Sequence, residues 1–522
     1  MAHKSNKISF GQNERFVFFV TIVGLIYSII SNSYFDTNGF LTSDSTHFLK
    51  LAQSLRDKNG LDIYSWTNSG DKQFFSTWPI GYPTLIYLVS NISQLDVFWS
   101  SKMANIICAI LIIFSVRRYL KVGFSIIGII FLSGSFLNIF SYTSTETLFA
   151  LGLVLYILRV CELENNQSKK NLLYVCLAFV LTFTSRYIGA YLLIFNLLLI
   201  LRVFRDQQRY SKYLLVLLIF SSLYVLGYLL MNKIASGYIT YSHAYMTYES
   251  WQTISVQFIK KIFEEMNLVM ASVRFGENSI VATISSILSL YLAYLLFAYL
   301  SKKKTLDSTL NNIANNFLYS GFLYLAIVFV WRLIIWFSPF SYRILFPSTL
   351  LIALGLLFKL LSKNDTSSQE FKKIYLALCA IAIFSFSFNI VYKQFSFEGV
   401  NYNQKVEEIA KKYREIKPGS VVIFGERHLD YLRQDIIPIK PYYLPLFSKI
   451  ETKEELNRRI KRFKRIYFNI PSFCQKPYDT LSGDRGLDCL SENKRIHSFD
   501  KDIIGFIKEN STKGVFEVRQ IR

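Results

Sequence analysis

Long apolar runs recur along most of this chain, and they constrain its fold more than any other feature. Most runs hold roughly 17–20 residues, the length that a helix needs to cross about 30 Å of hydrocarbon, and two, at 147–160 and 171–185, are shorter. Because 52% of the residues are hydrophobic and only 18% are charged, a disordered, collagen-like or disulfide-scaffold chain is excluded. We therefore predict a mainly α, polytopic membrane protein. Its spans, about eleven in number, lie at residues 16–34, 98–116, 124–141, 147–160, 171–185, 187–204, 213–231, 279–300, 316–337, 344–361 and 373–392.

Basic clusters beside alternate runs indicate how the chain crosses the membrane. With the N-terminus in the cytoplasm, every even-numbered run returns toward a cluster such as Arg117-Arg118, Lys169-Lys170 or Lys302-Lys303-Lys304. Cytoplasmic loops are enriched in Lys and Arg, so this pattern favours eleven spans. These basic clusters also account for much of the net charge of +22, so we predict no nucleic-acid partner. We predict a multi-pass plasma (inner) membrane protein whose C-terminal part is extracytoplasmic.

Two long outer loops and a charged tail complete the predicted organisation. Residues 1–392 form the transmembrane part, with outer loops over about 35–97 and 232–278. These loops are rich in aromatic residues, which is typical of helices lying in the membrane interface. In residues 393–522, helical and strand patterns alternate, which predicts a small extracytoplasmic α/β domain. Its predicted helices cover 405–416 and 453–464, and its strands 421–424 and 465–470.

The cysteines predict at most one disulfide and no metal site. Cys474 and Cys489 are the only cysteines of the tail. Outside the membrane they would close a loop of about 15 residues and stabilise the domain by roughly 3 kcal/mol, although two free thiols are the alternative. The sequence contains neither a CxxC pair nor a His/Cys cluster. We therefore expect no metal ligands and no obligatory cofactor.

Charged residues at the outer ends of the spans predict a shared polar cavity. Asp44, Glu146, Arg186 and Arg343 all fall at or near this side of the membrane. Charges in hydrocarbon cost about 2.5–3.5 kcal/mol each on insertion scales, so those near helix ends usually have a partner or a task. A cavity of this kind at the outer leaflet suits a lipid with a phosphate headgroup.

The first outer loop carries the most specific pattern. A helix capped by Thr42 or Ser43 would place Asp44 and His47 on one face. Downstream, the sequence Trp78-Pro79-Ile80-Gly81-Tyr82-Pro83 predicts a rigid turn that enters an apolar helix.

These motifs resemble the C-type superfamily of integral membrane glycosyltransferases. The resemblance consists of an aspartate after the first span, an aromatic and an alanine at four-residue intervals, and the Pro-x-Gly-Tyr-Pro turn. It is strongest for the bacterial branch related to protein O-mannosyltransferases and lipid A aminoarabinose transferases. Segments 142–149, 185–189 and 342–347 are similar to the acidic turn, arginine turn and late Arg-x-x-x-Pro element of that branch. One departure is Ser45, where mannosyltransferases have a second acid.

The resemblance implies transfer of a hexosyl or pentosyl group from a polyprenyl-phosphate donor. The acceptor would be a lipid, glycan or protein on the extracytoplasmic face, and the anomeric configuration would invert. Asp44 would serve as the catalytic base. Arg186 and Arg343 suit the phosphate because the guanidinium group donates forked, charge-assisted hydrogen bonds. Glu146 would orient a substrate or hold Arg186, and the loop lacks an aspartate pair for a divalent metal.

Other roles remain open for several of these residues. Asp44 could only cap its helix, and the two arginines could extend to lipid headgroups. His47 is either a surface histidine or a substrate contact, and Tyr187, beside Arg186, is a further substrate-binding candidate. Arg332 lies deeper in its run and either pairs with an acid or lines the cavity. A lipid-linked oligosaccharide flippase or a polysaccharide polymerase are the alternative functions for the whole chain.

Overall fold

The computed structural model divides the chain into two compact units, described separately below. Unit 1 comprises residues 1–42 and 76–399, and unit 2 comprises residues 43–75 and 400–522. The linear division predicted at residue 392 stays a prediction, because these units are defined by contacts and not by membrane position. The structure describes residues 10–64, 72–204, 208–240, 245–246, 249–266, 280–336, 340–363, 368–387, 390, 394, 399–423, 428–439, 466–469 and 515–517.

Helices dominate the described residues. They are α1 Phe10–Phe35, α2 Ser43–Arg56, α3 Gly81–Ser93, α4 Val97–Arg117, α5 Ser125–Phe131, α6 Gly134–Ser141, α7 Glu146–Asn165, α8 Lys169–Ser185, α9 Tyr191–Val203, α10 Gln208–Ser236, α11 Trp251–Met266, α12 Ile280–Lys302, α13 Ser308–Ile334, α14 Tyr342–Leu361, α15 Gln369–Ser387, α16 Tyr402–Lys412 and α17 Leu429–Leu432. The strands are β1 Asp62–Tyr64, β2 Lys72–Phe74, β3 Tyr245–Met246, β4 Ile335–Trp336, β5 Val421–Ile423, β6 Ile437–Ile439, β7 Ile466–Asn469 and β8 Val515–Glu517.

Helix occupies most of the described residues of each of the eleven predicted apolar runs. Five of the described helices are long and apolar enough to cross a membrane by length and composition, which agrees with a polytopic membrane protein; the count of eleven stays a prediction. These five segments are Glu14–Phe35, Val97–Arg117, Gln208–Ser236, Ser308–Ile334 and Tyr342–Leu361.

Two predicted runs differ from the observed helices. The run at 124–141 is two helices, α5 and α6, because Ser133 adopts an extended backbone conformation between them. Near Arg186 the alternative of one long helix is wrong. Arg186 is extended, and a short 3₁₀ turn over Tyr187–Ala190 precedes α9. Arg186 therefore lies outside regular helix, between α8 and the 3₁₀ turn.

Close approaches between helices position the functional part of unit 1. A Cβ atom added at Gly152 of α7 would lie 2.6 Å from Oγ1 of Thr182 in α8. Similarly, a Cβ at Gly355 of α14 would lie 2.7 Å from Cγ of Leu318 in α13. Glycine at these two positions lets the helix pairs approach more closely than larger side chains would allow. The helices that carry Glu146 and Arg343 are thus fixed against their neighbours.

Unit 2 combines residues 43–75, part of the predicted first outer loop, with the C-terminal part of the chain. Strands β1 and β2 form an antiparallel hairpin. A separate sheet has the order β6-β5-β7-β8, in which β5 pairs parallel with β6 and β7 while β8 is antiparallel to β7. The predicted helix 405–416 and the two predicted strands correspond to α16, β5 and β7. The predicted helix 453–464 lies outside the described residues.

Helix α2 is an integral part of unit 2. Nε2 of Gln434 donates a 2.7 Å hydrogen bond to the backbone carbonyl of Lys50 in this helix. Within the C-terminal segment, a small core packs α16 against β5, α17 and the residues around them. Its buried members are Ile409, Tyr413, Ile416, Val422, Leu429 and Ile436.

Candidate functional site in unit 1

A buried carboxylate binds two arginines in unit 1. Oε1 of Glu146 lies 2.5 Å from Nη1 of Arg186. The same oxygen accepts a 3.2 Å hydrogen bond from Nε of Arg343, whose Nη2 is also 3.2 Å away. Three of the four residues predicted to share a polar cavity thus contact one another, and their place at the outer side of the membrane stays a prediction. We call them the Glu-Arg cluster.

Three separate helix ends bring the Glu-Arg cluster together. Glu146 lies in the first turn of α7, where the helix dipole favours a negative charge. Arg186 occupies the break that follows α8, and Arg343 lies in the first turn of α14. Ion pairs between residues 40 and 197 positions apart in sequence indicate that this end of unit 1 is built around the carboxylate.

Access to water differs sharply within the Glu-Arg cluster. The side chain of Glu146 is 1% exposed, whereas those of Arg186 and Arg343 are 25% and 21% exposed. Oε2 of Glu146 is buried and makes no hydrogen bond to any residue that the structure describes. A guanidinium group carries five N–H donors, so the arginines keep accessible donor capacity while the carboxylate holds them in place.

Asp44 and His47 belong to unit 2 and lie on helix α2. Asp44 is in the first turn of that helix and is partly exposed. His47 is buried, at 4% exposure, so the interpretation as a surface histidine is wrong. The predicted roles of both residues in catalysis and substrate binding stay predictions.

Tyr187 is bound through its hydroxyl group within unit 1. The hydroxyl donates to the backbone carbonyl of Ser76 at 2.7 Å and accepts from Nδ2 of Asn232 at 2.8 Å. Its ring also contacts Phe183 and Tyr228 edge to face. These contacts give Tyr187 a structural role beside Arg186, and its substrate-binding role stays a prediction.

Arg332 pairs with an acid, one of the two roles that the sequence left open. The side chain is fully buried, and its Nη2 lies 2.7 Å from Oε2 of Glu249. Glu249 belongs to the predicted outer loop 232–278, whose strand β3 also pairs with β4 directly after α13. The ion pair and the strand pair together anchor this loop to the end of α13.

Lys102 is a residue that our sequence interpretation did not assign to the site. It is 1% exposed, and its Nζ donates 2.8 Å hydrogen bonds to the backbone carbonyls of Gly39 and Ser141. The available signal was its position, since Lys102 lies five residues inside an apolar helix rather than at its edge.

Neither a metal site nor a disulfide is found in the part of the chain that the structure describes. No group of three or more His, Cys, Asp or Glu side chains there could hold a metal ion. Cys108, Cys161, Cys176 and Cys379 are free thiols. Cys474 and Cys489, the predicted disulfide pair, lie outside the described residues.

Comparisons with known proteins identify the fold. Protein-family models and curated protein sequences gave no match. Among solved structures, ArnT from Cupriavidus metallidurans bound to undecaprenyl phosphate matches 88% of this chain and 93% of its own, at 10% identity and a TM-score of 0.52. The oligosaccharyltransferase of Archaeoglobus fulgidus in its apo form matches 87% and 69%, at 11% identity and a TM-score of 0.45. The match at a TM-score of 0.52 shows that the chain shares the fold of ArnT.

Proposed function

We propose that this protein is a membrane glycosyltransferase that takes a sugar from a polyprenyl-phosphate donor. The observation that carries the proposal is the Glu-Arg cluster, in which a buried carboxylate presents two partly exposed guanidinium groups. The fold supports it, because the matching ArnT structure is bound to undecaprenyl phosphate. The transferred group is a hexosyl or pentosyl unit, and the acceptor is a lipid, glycan or protein on the extracytoplasmic face.

Arg186 and Arg343 bind the donor phosphate in this proposal. A sugar linked through a phosphodiester carries one negative charge, and the departing polyprenyl phosphate carries about −1.5 to −2. Because the negative charge on the phosphate grows as the sugar leaves, contacts with cations are stronger in the transition state than in the bound donor. Such contacts accelerate the chemical step rather than only tightening binding.

Glu146 has a positioning role toward the arginines. Its Oε1 binds both guanidinium groups, which keeps two like charges together at one place. Its second oxygen, Oε2, is buried, so the carboxylate acts through the arginines. Of the two predicted roles of Glu146, orienting a substrate or holding Arg186, this arrangement favours the second.

Asp44 acts as the catalytic base. Its carboxylate takes the proton of the acceptor hydroxyl, and the acceptor oxygen forms a bond to the anomeric carbon. The bond between that carbon and the phosphate oxygen breaks at the same time, and its electron pair leaves with the polyprenyl phosphate. Attack from the face opposite the phosphate inverts the anomeric configuration.

Replacement of Asp44 tests the base assignment directly. Comparison of envelope glycolipids and glycoproteins from the parent and a deletion strain, by mass spectrometry, identifies the product as the species that the deletion removes. Asp44→Asn should abolish that product while its amount in the membrane stays normal. Asp57→Asn, which changes an exposed carboxylate near the end of the same loop helix, is the matched control and should retain the product. Near-normal product with Asp44→Asn would contradict the assignment.

A further inference from the structure

Lys102 is a buried cation that forms no ion pair with a carboxylate among the residues that the structure describes, and the Asp36 carboxylate acts on it only at longer range. Its Nζ binds only the carbonyl oxygens of Gly39 and Ser141, and it lies 4.8 Å from the ring centroid of Phe98. Burying an ammonium group is costly unless opposite charge accompanies it, and an apolar residue of similar size is often as stable or more stable at such a site. Stability alone therefore does not account for a lysine here.

The two carbonyl groups belong to two separate turns of unit 1. The first, which we call the entry turn, is residues 36–42, from which the chain enters helix α2 and reaches Asp44. The second, the acidic turn, is residues 141–146 and ends at Glu146. Lys102 contacts each turn five residues before its acid, at Gly39 and at Ser141.

The entry turn is strained. Gly39 and Phe40 both adopt left-handed backbone conformations, with φ of 62° and 51°. For Phe40 this conformation is unfavourable, because its Cβ atom lies close to the following carbonyl. Oδ1 of Asp36 stabilises the turn from inside by accepting from the backbone N–H groups of Asn38 and Phe40, at 2.9 and 3.1 Å. Strained residues of this kind persist only where their surroundings hold them.

Helix α4 supplies those surroundings. Beside Lys102, Oγ of Ser101 lies 2.6 Å from Oγ1 of Thr143, and Asn105 donates to the backbone carbonyl of Tyr142 at 2.6 Å. The two turns also contact each other, since the N–H of Thr143 donates to the carbonyl of Phe40 at 3.2 Å. Lys102 is the α4 side chain that bonds to both turns directly, among the contacts of the described residues.

We propose that Lys102 is a positioning residue that joins the entry turn to the acidic turn. Its charge fixes the point from which the chain enters the helix of Asp44, and it fixes the start of the helix that carries Glu146. This inference rests on the proposed function of those two acids. Lys102 itself touches neither donor nor acceptor in this role.

The substitution Lys102→Met tests the proposal, because Met keeps the length of the side chain and removes its donors. We expect the initial rate of product accumulation in the complemented deletion strain to fall about 10- to 100-fold, as misplacement of reacting groups by about 1 Å does. The melting temperature of the purified protein should stay unchanged or rise, because the substitution removes a buried charge that forms no ion pair. Binding of undecaprenyl phosphate in detergent, followed by its effect on the melting temperature, should persist.

Two controls make the outcome unambiguous. Ser100→Ala changes a buried polar residue of the same helix whose hydroxyl bonds to Leu95, away from both turns, and should keep the normal rate. Gly39→Ala adds a Cβ atom at a residue with a left-handed backbone conformation, which strains the entry turn while Lys102 is kept. It should slow product formation as Lys102→Met does. A Lys102→Met protein with a normal rate would overturn the positioning role, as would one whose rate falls only together with its melting temperature.

Failure of this inference can be told apart from failure of the proposed function. If Asp44→Asn is inactive and Lys102→Met has the normal rate, the base assignment holds and the positioning role is wrong. If Asp44→Asn keeps its product, the base assignment fails, and with it the reason for placing Lys102 in catalysis.

Discussion

The unequal exposure of the Glu-Arg cluster predicts an order of stability among its variants. Replacing either Arg186 or Arg343 by Met leaves the carboxylate bound to the other arginine. Each single change should therefore cost about 1.5–3 kcal/mol, the value of a hydrogen bond to a charged group. Replacing both arginines leaves Glu146, which is 1% exposed, as a buried charge without a cation in the cluster. The double variant should exceed the sum of the single effects by about 0.5–3 kcal/mol.

Neutralising the acid should rescue that double variant. With Glu146→Gln added, the buried group is a neutral amide, and we expect about 3 kcal/mol of stability to return, since an unpaired buried charge costs roughly 3–5 kcal/mol. For the 366 residues of unit 1, an unfolding entropy of about 2.1 cal/mol/K per residue converts 1 kcal/mol to about 1.3 °C in melting temperature. The triple variant should therefore melt about 4 °C above the double.

Thermal unfolding in detergent, followed by tryptophan fluorescence, measures these differences. The comparison uses the wild type, both single variants, the double and the triple at one protein concentration. Ser100→Ala serves as the control for a substitution elsewhere in unit 1. A triple variant that melts at or below the double would refute the reasoning, because Glu146 could not then be the charge that the arginines stabilise.

Two further predictions concern ion pairs outside this cluster. Glu249→Gln removes the carboxylate bound to fully buried Arg332 and should lower the free energy of unfolding by about 3–5 kcal/mol, measured by thermal unfolding. Glu264→Gln, in an exposed ion pair on α11, should lower it by less than about 1 kcal/mol. Equal effects of the two substitutions would contradict the role of burial. Hydrogen bonds from Arg433 lower the pKa of Asp435, so the stability that Asp435 gives to unit 2 is complete above its unfolded pKa of about 3.9 and is lost as the pH falls below it. The protection factors of the backbone amides around Gly419, whose N–H donates to the Asp435 carbonyl, should fall more steeply below about pH 4 in wild type than in Asp435→Asn.

The sequence predicted the helices well because each apolar run carries its own signal. Length and hydropathy are local properties, so α1, α4, α10 and α14 fall where the runs lie. The break at Ser133 was missed because apolar residues continue on both sides of it. Whether a long apolar stretch is one helix or two depends on packing, which hydropathy does not report.

The candidate site was predicted in its residues but only partly in its connections. The positions of Glu146, Arg186 and Arg343 near the ends of apolar runs indicated them as site residues, because a charged side chain there is costly unless it has a partner or a function. The sequence could not predict where the side chain of Lys102 points, since a lysine in the first turns of a helix can extend to lipid headgroups or turn inward to carbonyl groups. The membership of α2 in unit 2 also lay beyond the sequence, because it depends on contacts with residues more than 350 positions later.

The interleaved course of the chain has a consequence for biogenesis. Residues 43–75 leave the ribosome early, but the remainder of their compact unit begins at residue 400, after 324 intervening residues. At about 5–20 residues per second, synthesis of the intervening residues takes roughly 16–65 seconds. During this interval, residues 43–75 lack the segment with which they form unit 2. Any truncation before residue 400 removes that segment entirely.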